Sequence, residues 1–216
     1  MNTHLTIEAL RQKFGEEGLS FKDLNTDPLL QFQAWYQQAI DSGIPEPNAM
    51  CVATATVSAA PSLRTVLMKS YDRDGFIFYT NFESRKARQI AENKQVSLIF
   101  PWIALHRQVI IEGSAEKIST AESMKYFATR SRGSQLGAWS SRQSDVLSTR
   151  SLLEAKLEQM KDKFSRGEIP LPSFWGGFRV KPTRIEFWQG RPHRLHDRFL
   201  FTLTEAGAWK VERLAP

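Results

Sequence analysis

Only one cysteine occurs among the 216 residues. Cys51 has no partner within the chain, which excludes a disulfide framework and points to a reducing compartment. It stands in the apolar run Ala49-Met50-Cys51-Val52-Ala53, where a packed thiol is the expected reading. A secretory leader is also missing, because Met1 to Leu10 has no basic region followed by an apolar stretch. The most apolar run, Val96 to Leu105, is broken by Pro101 and is too short to cross a bilayer. These absences predict a cytoplasmic protein without a membrane partner. Repeats, low-complexity stretches and blocks of like charge are absent too. The net charge of +6 is dispersed along the chain. A basic balance attracts phosphates of any kind, but its dispersal disfavours a nucleic-acid tail. Several chemistries fall away for want of their motifs. There is no GxGxxG, no GxxxxGK followed by Ser or Thr, and no GxSxG elbow. His193 and His196 do not form HExxH, and one cysteine rules out a multi-cysteine zinc site, so no metal is expected.

What is present is an ordinary globular composition, 41% hydrophobic and 24% charged, at a length that suits one domain. Leu5, Leu10 and Phe14 predict a short N-terminal helix. The segment 1–26 is read as a mobile lid and 27–216 as a single domain. Asp27-Pro28 supplies an N-cap and a first-turn proline for a helix whose Leu29, Phe32, Trp35, Tyr36 and Ile40 recur at helical spacing up to Gly43. From 49 to 118 the pattern is β, with strands over 49–57, 63–69, 75–80, 96–100 and 107–117 and a short helix over 84–92. A helix capped by Ser119 or Thr120 follows, then a Ser, Gly and Arg-rich stretch over 131–144, an amphipathic helix over 149–164, and three C-terminal strands. This order predicts an antiparallel barrel with peripheral helices.

Three stretches carry chemistry. The first is Ile185 to Arg198, where an alternating strand is broken at Gln189-Gly190-Arg191-Pro192 and a second one resumes. On that reading Arg194, His196 and Arg198 share one strand face. Three such groups beside Trp188 repel each other unless an anion or a π-system lies over them. The second is Tyr79 to Lys86. Ser84 opens a helix whose first turn bears Arg85 and Lys86, and cations there oppose the helix dipole, a conflict that a bound phosphate removes. The third is Tyr126 to Arg130 with Ser134, a weaker cationic and hydroxyl cluster. Gln108, Gln143 and Ser144 add groups able to read the edge of a heterocycle.

Taken together these stretches resemble the pyridoxine/pyridoxamine 5′-phosphate oxidase family. The matching pieces are Arg64-Thr-Val-Leu-Met-Lys69, Phe78-Tyr-Thr-Asn81, Ser84-Arg-Lys-Ala87, Arg107-Gln-Val109, and Tyr126-Phe127 through Arg130 to Ser134. Trp139–Ser144, Pro170–Val180, Ile185–Arg198 and the ending Arg213-Leu-Ala-Pro216 continue them in one register from about residue 27. The resemblance implies an FMN-binding split β-barrel, mainly β with peripheral helices. It implies a homodimer with FMN at the interface, which oxidises pyridoxamine or pyridoxine 5′-phosphate to pyridoxal 5′-phosphate while O₂ becomes hydrogen peroxide. By the resemblance, Arg64, Lys69, Ser84, Arg85 and Lys86 surround the FMN phosphate and ring edge. Thr65, Val66, Leu67 and Met68 run along the flavin. Tyr79, Thr80, Gln108, Gln143, Ser144, Trp188 and Arg198 complete its site, some from the partner chain. Lys69, Tyr126, Arg130 and Ser134 hold the substrate phosphate. Arg194 and His196, with Leu195 between them, lie over the substrate ring as the catalytic pair. One departure concerns the lid, where the family often carries a basic pair, an acid and a tyrosine. Here the run is Arg11-Gln-Lys-Phe14, so Arg11 can still reach the substrate but Phe14 has no hydroxyl. The readings that compete are a split-barrel flavin oxidase for another substrate, of the phenazine type, and a non-catalytic binder of pyridoxal phosphate or FMN.

Overall fold

The computed structural model describes residues 6–141 and 143–216, without the side chains of Ile7, Leu10 and Arg11. Its helices are α1 (Ile7–Glu17), α2 (Pro28–Asp41), α3 (Arg85–Glu92), α4 (Thr120–Thr129), α5 (Arg132–Ser140) and α6 (Arg150–Lys163). Its strands are β1 (Ala49–Ala55), β2 (Pro61–Leu67), β3 (Ser70–Asp72), β4 (Gly75–Asn81), β5 (Gln95–Trp102), β6 (Arg107–Lys117), β7 (Trp175–Gln189), β8 (Asp197–Leu203) and β9 (Trp209–Leu214). Caps fall where side-chain oxygens can take orphan amides. Asp27 accepts from Leu29 N–H at 2.8 Å, and Ser119 forms a reciprocal capping box with Glu122.

All nine strands of the sheet pair antiparallel, in the order β2-β1-β5-β6-β7-β4-β3, with β8 and β9 continuing from β7. The sheet curls until β2 approaches β4. β7 joins the two halves: Trp175–Val180 pairs with β4, and Arg184–Gln189 pairs with β8. The β6–β7 register shifts between Glu112 and Gly113. A Cβ on Gly113 would fall 2.0 Å from the Lys181 carbonyl oxygen, so only glycine allows the two backbones to approach there.

Alternation buries one face of the sheet. Phe76, Phe78, Phe100, Phe187, Phe199 and Phe201 fill it, and α2 closes it with Phe32 and Trp35. The Phe32 ring lies 4.9 Å from Phe76 and 5.0 Å from Phe100. A second, smaller apolar cluster of Phe127, Leu136, Phe164, Ile169 and Trp175 lies under α4, α5 and α6. No helix among the described residues is long and apolar enough to cross a membrane, and no group of metal-ligating side chains occurs among them.

The Ser, Gly and Arg-rich stretch over 131–144 folds into the nine-residue helix α5, capped by Ser131. One reading of the sequence needs correction: Arg194 and His196 do not share a strand face with Arg198. Pro192–Arg194 is a 3₁₀ turn in which His193 and Arg194 have positive φ, and β8 begins only at Asp197. The turn runs past Pro192 through two residues of positive φ, so the second strand starts three residues later than the alternation of charge suggests.

Candidate functional site

Lys86 is the centre of a first cationic cluster. It lies on the first turn of α3, only 8% exposed, and its ammonium donates to Thr80 Oγ1 at 3.0 Å and Gln143 Oε1 at 2.9 Å. Ser84 caps the helix, 3.5 Å from the same ammonium, and Arg85 N–H donates to Ser144 Oγ at 3.2 Å. Arg64 reaches across from β2, where it donates to Val52 O at 3.1 Å, Thr54 Oγ1 at 2.6 Å and Ser62 Oγ at 2.5 Å. Burial and then the Arg64 charge hold the Lys86 ammonium down to about 8. Burial and then Arg85 likewise lower Arg64. None of Arg64, Arg85 and Lys86 forms an ion pair among the described residues. Three cations gathered around hydroxyls with no carboxylate fit a phosphate dianion.

A second cluster shares a wall with the first. A cavity of about 390 Å³ is lined by Lys69, Tyr79, Thr80, Tyr126, Arg130, Ser134, Gln143 and Trp175, among others. Thr80 Oγ1 donates to Gln143 Oε1 at 2.9 Å, so the pair that touches Lys86 also faces this cavity. Tyr79 stacks on Tyr126 at 3.9 Å and on Trp175 at 5.3 Å, and the Arg130 guanidinium lies 4.6 Å over Trp175. Arg130 Nη1 is the one buried side-chain polar atom without a hydrogen-bond partner among the described residues. Burial lowers the Arg130 guanidinium, and burial raises the phenols of Tyr79 and Tyr126. A buried donor left unsatisfied costs its full desolvation. An anion in the cavity removes that cost.

The remaining expected residues lie elsewhere in the chain. Thr65, Val66 and Leu67 lie on β2, paired to Cys51, Met50 and Ala49. Met68 is buried, and its N–H and carbonyl both bond to Asn48. Gln108, Trp188 and Arg198 sit side by side across β6, β7 and β8. The His196 ring lies 4.6 Å from Trp188. Arg198 is held by Glu186 through bonds of 2.8 and 3.2 Å, which raise its pKa, so its charge is already matched. Leu195 is exposed. None of Gln108, Trp188, Arg194, His196 and Arg198 lines the cavity of the second cluster. Within one chain the expected site is therefore in two halves. The side chain of Arg11 lies outside the described residues. Phe14 is buried under the Arg107 guanidinium, 3.8 Å from its centroid, which explains why that position needs an apolar ring.

Two contributors were not singled out from sequence. Trp175 forms the floor of the stack, and its only sequence signal was the Phe-Trp-Gly-Gly run. Glu186 neutralises Arg198, and its signal was its place two residues before Trp188, whose cross-strand partner is Arg198.

Residues 36–164 match a family model described as pyridoxamine 5′-phosphate oxidase. Residues 175–216 match one described as the pyridoxine 5′-phosphate oxidase C-terminal dimerisation region. The chain is 58% identical over 214 residues to a pyridoxine/pyridoxamine 5′-phosphate oxidase from Crocosphaera subtropica, covering 98% of this chain and 100% of that protein. It is 52% identical over 215 residues to one from Yersinia pestis, covering 100% and 99%. Among solved structures it superposes with a TM-score of 0.85 on PhzG from Burkholderia lata in complex with tetrahydrophenazine-1-carboxylic acid, at 30% identity, covering 90% of this chain and 95% of that one. A pyridoxamine 5′-phosphate oxidase-related, FMN-binding protein from Nostoc punctiforme shares the fold, with a TM-score of 0.71 at 16% identity, covering 89% and 100%.

Proposed function

The chain belongs to the pyridoxamine 5′-phosphate oxidase family and oxidises pyridoxamine and pyridoxine 5′-phosphate to pyridoxal 5′-phosphate with FMN, and we propose that its two cationic clusters divide the two phosphates between them. Arg64, Ser84, Arg85 and Lys86, with Thr80, Gln143 and Ser144, hold the FMN phosphate. Lys69, Tyr126, Arg130 and Ser134 hold the substrate phosphate. The observation that carries this division is the buried, unpartnered Nη1 of Arg130, a residue that lines a cavity sharing Thr80 and Gln143 with the Lys86 cluster.

FMN, when bound, would supply the two-electron acceptor, with O₂ as the final oxidant. Each turnover of the amine consumes one O₂ and one water and releases ammonia and hydrogen peroxide. The alcohol needs no water. The protein's own work is placement. Anchoring both phosphates fixes the two rings relative to each other. Arg194 and His196 then orient the substrate ring from a second copy of this chain, with the flavin at the interface between subunits. Support for that arrangement comes from the dimerisation region over 175–216, which contains both residues, and from their absence around the cavity that holds Arg130.

The test compares substrates. The account expects aerobic formation of pyridoxal 5′-phosphate from pyridoxamine 5′-phosphate and at least a hundredfold lower kcat/KM on unphosphorylated pyridoxamine, because charged hydrogen bonds to the phosphate are lost. Equal rates on the two would instead favour a substrate without phosphate, as the fold shared with PhzG allows.

A further inference from the structure

The turn after β7 is held in an unfavourable conformation. His193 and Arg194 have φ of 57° and 63°, and neither is glycine. Consecutive side-chain-bearing residues persist in that region only where their surroundings over-determine them. Arg191 provides the surroundings on one side. Its backbone N–H donates to His196 Nδ1 at 3.1 Å, so the neutral imidazole carries its proton on Nε2. Its side chain turns the other way. Nη1 donates to the carbonyls of Gly15 at 2.8 Å and Glu16 at 2.6 Å, in the last turn of α1, where carbonyls lack helical partners. Nε lies 3.5 Å from Asp197 Oδ2, which also accepts Leu19 N–H at 3.0 Å. A Cβ on Gly18 would fall 2.5 Å from Arg191 Nη1 and displace the guanidinium, and the φ of +68° there itself favours glycine. Independently of Arg191, Phe14 docks α1 on Arg107.

We propose that Arg191 is a positioning residue for the oxidation: it clamps the turn bearing Arg194 to the end of α1 and so sets where Arg194 and His196 lie. The proposal rests on the reading that these two residues face the substrate. Phe14 on Arg107 anchors the helix, and the guanidinium is the strut between the helix and the turn.

The test uses full-length, FMN-loaded Arg191→Ala and Arg191→Lys, followed by hydrogen exchange and by steady-state kinetics on pyridoxamine 5′-phosphate. In the Ala variant, exchange over 190–198 should rise about tenfold while β5 and β6 keep their protection. Its kcat should fall about tenfold, with KM and the FMN dissociation constant within about twofold of the parent, because the phosphate contacts are untouched. Lys, which keeps donors and charge, should retain at least about half of the parent turnover. Parent-like exchange over 190–198 in the Ala variant overturns the proposal. So does equal loss in Ala and Lys, or a rise in exchange through the whole sheet. A parent protein that leaves pyridoxamine 5′-phosphate unoxidised sinks the functional reading alone, and the exchange comparison still decides the clamp.

Discussion

Lys86 is the residue whose environment makes the sharpest prediction. Burial and Arg64 depress its ammonium to about 8, so below that pH it is already protonated when a phosphate arrives. Above it, binding must take up a proton, since the bound dianion favours the charged form. The FMN dissociation constant should therefore be flat from about pH 6.5 to 8 and rise towards about tenfold per unit above. In Lys86→Met the rise above 8 should vanish, on a curve already weakened by roughly 10- to 100-fold. Fluorescence titration at each pH measures both. Arg130 gives the matching prediction for substrate. Arg130→Ala should raise KM for pyridoxamine 5′-phosphate roughly 10- to 100-fold and leave FMN affinity unchanged, because its guanidinium faces the second cavity and not Lys86. At this scale the sequence was readable where a local conflict showed itself. Two cations on a helix's first turn pointed to the cluster where Lys86 is buried beside hydroxyl and amide groups. The expected trio of unmatched cations misled, because the carboxylate that pairs with Arg198, Glu186, lies on a neighbouring strand, and register is not written in a single strand's pattern.

Elements are legible when their own period or caps define them. Asp27-Pro28, Ser84 and Ser119 open α2, α3 and α4 as their capping chemistry requires. The turn at 192–194 was less legible. Its alternating charges imitate a strand, while its real conformation is imposed by contacts with α1, which lies some 176 residues earlier in the chain. The β6–β7 irregularity is similar: Gly113 signals close approach only once Lys181 is known to lie opposite. Gly113→Ala should cost on the order of 3 kcal/mol and lower Tm by roughly 6–12 °C, since the obstructing atom is a backbone carbonyl that cannot swing aside. A scanning calorimetry trace that matches the parent would show that the two strands separate without cost.

For the whole molecule the issue is whether one chain contains a working site. The two cationic clusters lie on β2, β4, α3 to α5 and the first residue of β7, whereas Arg194 and His196 lie beyond the other end of β7 and outside the cavity. A site shared across a two-fold axis predicts complementation. Assayed with pyridoxamine 5′-phosphate held below the parent KM, Arg130→Ala and Arg194→Ala homodimers should each keep no more than about a tenth of parent activity. After subunits are exchanged, half the dimers carry one intact site of two, so about a quarter of parent activity should return. Silence in the mixture would place both residues in a site built by one chain. The barrel and its helices could be anticipated from strand spacing and inserted helices, whereas the homodimer came from the family resemblance alone, because periodicity reports which face is buried and not what covers it.

The most direct measurement is the absorbance spectrum of the purified protein before and after anaerobic addition of pyridoxamine 5′-phosphate. Two phosphorylated rings anchored against each other predict a yellow protein whose flavin bands bleach on addition, with one pyridoxal 5′-phosphate formed per flavin. A protein that takes up no FMN, or a bound flavin that keeps its colour when the amine is added, would contradict the account.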